Sequence, residues 1–89
     1  MLAALICIDK IGHLQTRLDT RPAHVDYLKQ TGVVSQAGPF LNEAGEMIGS
    51  LVILDVASLA DAEAWAAADP YAKAGLFETV TIREWKKVI

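Results

Sequence analysis

The sequence predicts a small α+β fold whose elements run β-α-β-β-α-β, a ferredoxin-like order with a four-stranded antiparallel sheet. Three observations lead there. Extended apolar runs alternate with helix-like segments, and glycine and proline punctuate the joints. The runs Leu2–Ile8 and Ser50–Val56 are apolar on both alternating sets of positions, whereas a strand with one wet face should alternate polar and apolar. Room for about two helices leaves one sheet face uncovered, since both helices of this topology lie on the same side. The uncovered face then calls for a second copy of the chain, sheet against sheet.

Each element follows in order. The first strand covers roughly residues 2–9. Residues 11–19 read either as loop, from Gly12, His13 and Thr16, or as a short helical turn through Leu14, Arg17 and Leu18. A helix then starts near Pro22, whose missing N–H suits a first turn, and runs through Val25 and Leu28 to a stop at Gly32. Val33 and Val34 open a second strand that ends at Gly38-Pro39 or slightly later, at Phe40-Leu41. Asn42-Glu43-Ala44-Gly45 reads as a hairpin turn into a third strand at about 47–56. Ser58 with Asp61 resembles a helix-capping pair for the segment bearing Ala62, Trp65 and Ala66. Asp69-Pro70 begins a further turn, and Gly75 releases a last strand near 76–87. In that strand Val80 and Ile82 are expected on one side, Phe77 and Trp85 on the other.

Size and charge narrow the function. Eighty-nine residues imply a single domain over 1–89, and a chain this short shields only about 60–65% of its unfolded surface. A hydrophobic content of 53% and a mean hydropathy of +0.30 fit a chain that shares its core with a partner. A net charge of −3 argues against a nucleic-acid partner, because phosphate backbones reward clustered positive charge. No apolar stretch approaches the roughly 20 residues of a membrane span, and the amino end lacks a basic leader. The lone Cys7 permits no internal disulfide, and no metal-ligand spacing is present, so a cytoplasmic protein without a metal or cofactor is expected.

Two polar residues in otherwise apolar settings are candidates for chemistry. His24 stands near the predicted helix start, and Asp69 precedes Pro70-Tyr71. An imidazole exchanges protons near neutral pH, and a carboxylate can fix its tautomer. The topology lets both approach one end of the sheet. The plainer readings stay open beside this: Asp69 as a helix cap, His24 as a local hydrogen-bonding group. Arg17 and Arg21 offer a positive edge to an anionic ligand or a solvated surface. Tyr27, Tyr71 and Ser50 are candidates to line a pocket, and Gly38-Pro39 to shape its rim.

Taken together, Arg21-Pro22-Ala23-His24 with Tyr27-Leu28, then Ala37-Gly38-Pro39, Gly49-Ser50, Ala68-Asp69-Pro70-Tyr71 and Trp85-Lys86-Lys87-Val88 resemble the YCII-related (YciI-like) family over nearly the whole chain. The resemblance implies a dimeric α+β barrel of two ferredoxin-like subunits and an active site pairing His24 with Asp69. It points to a cofactor-independent lyase or isomerase acting on a small cyclic or aromatic metabolite. A non-catalytic small-ligand protein of the same fold is the alternative. The segment between Pro39 and Gly49 looks shorter than in many relatives.

Overall fold

The computed structural model describes residues 1–89 and orders them as β1 (Leu2–Asp9), α1 (Leu14–Thr31), β2 (Val34–Leu41), β3 (Met47–Asp55), α2 (Leu59–Ala68), α3 (Pro70–Lys73) and β4 (Phe77–Trp85). The strands form one antiparallel sheet in the order β2-β3-β1-β4, which is the ferredoxin-like arrangement. The expected barrel is not there. β2 and β4 are opposite edges held apart by β3 and β1, and the sheet stays open. Four strands are too few to curl into closure, which in small filled barrels takes about eight.

The two faces of this sheet differ. Ala3, Leu5 and Cys7 of β1, with Val52 and Leu54 of β3, point to the helices and join Ala62 and Trp65 in a buried core. The alternate positions, including Leu2, Ala4, Ile6, Ile8 and Leu51, lie on the other side, where no helix covers them. Ile6, Ile8 and Leu51 remain 38–42% exposed on that side, although Ile53, opposite Ala4, is only 4% exposed.

α1 departs from the sequence reading. It is a single 18-residue helix beginning at Leu14, and Pro22 lies inside it rather than in its first turn. Proline there forfeits the bond to the Leu18 carbonyl, but Leu18 and Pro22 are on the exposed side, where water can serve that carbonyl. His24 is therefore a mid-helix residue. Inward positions include Arg17, His24, Leu28 and Thr31, spaced seven, four and three apart along one stripe, with Tyr27 packed beside them against the core. Gly32, at φ 69°, closes the helix in the left-handed conformation that glycine adopts without strain.

α2 begins as expected, with Ser58 Oγ accepting from the Asp61 N–H at 3.2 Å. In β4 Val80 and Ile82 share the side toward the helices, opposite Cys7 and Leu5, as expected, but the second pairing fails. A register shift between Ile8 and Asp9 sets Phe77 opposite Asp9, so Phe77 packs with Ile82 against the core instead of sharing a side with Trp85. No helix is long and apolar enough to cross a membrane.

Candidate active site

Polar residues are scarce in the interior, and those present gather in one place. Arg17, His24, Ser50 and Asp69 are the buried polar residues, each at most 6% exposed. They come from α1, β3 and the α2–α3 joint. Buried polar groups require partners, so the contacts of each are informative.

His24 and Asp69 meet directly. The Nδ1–H of His24 donates to Asp69 Oδ1 at 2.8 Å. An ionised carboxylate can only accept, which sets this tautomer and leaves Nε2 as the nitrogen with no partner inside the protein. The same Oδ1 accepts the Tyr71 backbone N–H at 3.0 Å and so caps α3. Both readings of Asp69 hold at once. One carboxylate oxygen starts a helix and orients an imidazole. The Tyr71 ring stacks on that imidazole with centroids 3.9 Å apart, and Phe77 meets Tyr71 edge-on.

Arg17 forms a second buried pair. Its Nε donates to Asp9 Oδ2 at 2.7 Å, its Nη2 to Asp9 Oδ1 at 2.9 Å, and Nη2 also to Ser50 Oγ at 2.9 Å. The guanidinium carbon lies 4.5 Å from the Tyr71 ring centre. Burial works against the charge on Arg17, but the Asp9 hydrogen bond and charge outweigh it and raise the guanidinium above its usual pKa. Burial also raises the Tyr71 hydroxyl, with the nearby Arg17 and Arg21 charges pulling the other way. That hydroxyl is sealed from solvent and makes no well-formed hydrogen bond; Arg17 contacts the ring instead.

A cavity of about 230 Å³ opens onto these groups, lined by His24, Arg17, Arg21, Ser50 and Tyr71, with Gly38 and Pro39 of the edge strand among the rest. It is smaller than ordinary drug-sized pockets of about 300–1,000 Å³ and suits a ligand of about one ring. A larger hollow of about 460 Å³ lies between the β1–α1 connection and the β2–β3 hairpin. Of the buried pairs it touches only Asp9, whose carboxylate is already taken by Arg17, so the smaller cavity is where chemistry can occur. No group of three or more His, Cys, Asp or Glu side chains gathers to hold a metal ion.

Eight of the nine residues singled out from sequence are thus at this site. Asp69 reaches it through His24, and Arg17, Arg21, Gly38, Pro39, Ser50 and Tyr71 border the cavity with His24. Tyr27 is elsewhere: its hydroxyl donates to the Trp65 carbonyl at 2.8 Å, and its ring leans on Trp65. Arg17 is not the solvated cation of one sequence reading, because Asp9 already balances its charge. Asp9 itself escaped notice. Its one sequence signal was an acid closing an otherwise apolar strand, eight residues before an arginine.

A histidine withheld from water, fixed at one nitrogen and free at the other beside a ligand-sized hollow, is arranged to move protons on a small molecule. The chain is a small-molecule enzyme built around a His–Asp pair on an open ferredoxin-like sheet. It belongs to the YCII-related domain family, which matches residues 1–86. The protein YciI of Escherichia coli is 40% identical over 97 aligned positions, covering 99% of both chains. A Haemophilus influenzae protein is 38% identical, covering 84% of this chain and 86% of its own. Among solved structures, a 5-chloro-2-hydroxyhydroquinone dehydrochlorinase from Burkholderia phenoliruptrix, in complex with 2,5-dihydroxybenzoquinone, is 32% identical with a TM-score of 0.88. That match covers 97% of this chain and 94% of the other.

Proposed function

We propose that this protein catalyses a lyase- or isomerase-type proton transfer on a small hydroxylated ring, with His24 as the proton-carrying group. The observation that carries this reading is the 2.8 Å His24–Asp69 bond beside a one-ring cavity. The likeness to a dehydrochlorinase supports the substrate class. In an elimination, Nε2 of His24 takes a proton from the substrate, the freed electron pair forms the new double bond, and the leaving group departs with its bonding electrons. A chlorinated ring so loses H⁺ and Cl⁻. Asp69 holds the ring by Nδ1–H and favours the imidazolium that forms. Arg21, with no ion-pair partner, attracts an anionic substrate, and Gly38 and Pro39 wall the cavity.

The experiment is incubation of wild type and His24→Ala with chlorinated hydroxyhydroquinones, following chloride release and products by mass spectrometry. Conversion by wild type, falling about 10²–10⁴-fold in His24→Ala with the circular dichroism spectrum kept, is the expected result. Equal conversion by both, or saturable binding without conversion, would overturn it.

We further propose that the 89 residues act as one domain in a homodimer whose open sheet faces bury each other, in the cytoplasm. Exposed Ile6, Ile8 and Leu51 on the uncovered face support this, since apolar strand surface of that kind calls for a partner. Sedimentation should give twice the 9.6 kDa chain mass, and Ile6→Asp should shift it to one chain. A wild-type monomer at micromolar concentration would contradict the pairing.

A further inference from the structure

Ser50 has one unspent hydrogen, and the residues behind it dictate where that hydrogen goes. Arg17 carries only donors, so the 2.9 Å contact between its Nη2 and Ser50 Oγ makes the serine oxygen an acceptor there. The serine hydroxyl makes no other hydrogen bond within the protein, although Ser50 is 3% exposed. It borders the cavity. A ligand oxygen in that cavity is therefore the natural acceptor for its O–H.

The guanidinium is held in this direction by Asp9. Two parallel bonds, 2.7 and 2.9 Å, fix the plane of the guanidinium, which a single contact would not do. Arg17 and Asp9 side chains are 2% and 6% exposed. A buried ion pair of this kind is a weak source of net stability, because desolvation of the two charges opposes their attraction. Its geometric consequence is the stronger one: the fixed guanidinium touches Ser50 on one side and the Tyr71 ring, which stacks on His24, on another.

We propose that Asp9 is a positioning residue, which by gripping Arg17 at two points turns the Ser50 hydroxyl into a preset donor for a carbonyl or oxyanion oxygen of the ligand. The proposal rests on the reading of the cavity as a ligand site for hydroxylated rings. It adds a residue and a recognition element to that reading. Such a ligand carries an oxygen acceptor at the Ser50 position, and a ring lacking that oxygen binds less well.

The test is equilibrium binding of a dihydroxybenzoquinone probe, followed by its absorbance, to wild type, Ser50→Ala, Asp9→Asn, Asp9→Glu and the double variant Asp9→Leu/Arg17→Met. Thermal unfolding is recorded for each. Ser50→Ala and the double variant should weaken binding about tenfold, the worth of one hydrogen bond to a charged or polarised group. The double variant should keep its melting temperature, because an apolar pair can replace a buried ion pair without loss. That separates positioning from folding even where Asp9→Asn fails to fold. Asp9→Glu should recover part of the affinity that Asp9→Asn loses. Benzene-1,4-diol ethers, with no carbonyl or ionised oxygen, should bind weakly and show little difference between wild type and Ser50→Ala. Unchanged affinity in the double variant would overturn the role of Asp9, and equal loss for probe and ether would overturn the oxygen recognition. Failure of the probe to bind wild type would overturn the recognition element as well. A His24→Ala protein that binds the probe normally but retains turnover contradicts the proton-transfer reading and leaves the Asp9 result standing.

Discussion

The two buried pairs of this small protein use the same chemistry to opposite ends. Asp9–Arg17 spends both oxygens of its carboxylate and closes on itself, so it is fixed in charge and direction. His24–Asp69 spends one imidazole nitrogen and leaves the other beside the cavity, so it can exchange a proton. Tyr71 contacts both, through the guanidinium over its ring and the imidazole stacked on it. A permanently charged pair makes a frame, and a titratable pair makes a reactive group. Both rest against one aromatic ring.

Breaking the frame should have the largest effect on folding. Asp9→Asn strands a buried guanidinium and should cost about 3–5 kcal/mol, read from urea unfolding, because removing one partner of a buried pair exposes the full desolvation penalty of the other. Breaking the reactive pair should act on rate instead. Asp69→Asn still caps α3 through its amide oxygen but loses the charge that favours imidazolium; turnover should fall at least tenfold while stability changes by no more than about 1 kcal/mol. Comparable destabilisation by the two substitutions would erase the distinction.

Alkaline pH should probe the floor on which both pairs rest. Burial, then the Asp69 charge, pushes the Cys7 thiol from 9.0 up to about 12. Between those values the unfolded chain releases a proton that the folded one retains, so stability is full below about pH 9 and declines as pH rises toward 12. Cys7→Ala should flatten that decline in pH-dependent thermal unfolding, and native Cys7 should resist alkylation by iodoacetamide. Tyr27→Phe should have the smallest effect. It removes a hydroxyl from the Trp65 carbonyl outside the cavity, costing about 1 kcal/mol of stability with turnover unchanged.

Legibility in the sequence followed the same division. Strands β1 and β3 announced themselves through apolar residues, and α2 through Ser58 and Asp61, because local patterning and capping act over a few positions. The first half of α1 did not. Its inward position is Arg17, where an apolar residue would mark a core-facing helix, and Gly12, His13 and Thr16 read as loop, so hydrophobic periodicity was silent there. Asp9 was hidden because its meaning depends on Arg17, one helical entry later, and on Ser50, from another strand. His24 and Asp69 could be named but not joined, since 45 positions separate them and only the fold closes that distance. The barrel was over-read from kinship: apolar strands demand cover for a face, which an open sheet can seek by packing, and they do not demand closure.

The most direct measurement is the imidazole nitrogen spectrum of His24 in ¹⁵N-labelled protein, assigned with His24→Ala and repeated in Asp69→Asn. A ring protonated at Nδ1 and bare at Nε2, with its nitrogen shifts changed in Asp69→Asn, is the result expected of a proton-transfer pair. A ring protonated at Nε2, or one indifferent to the loss of the Asp69 charge, would show that the pair is not set for that task.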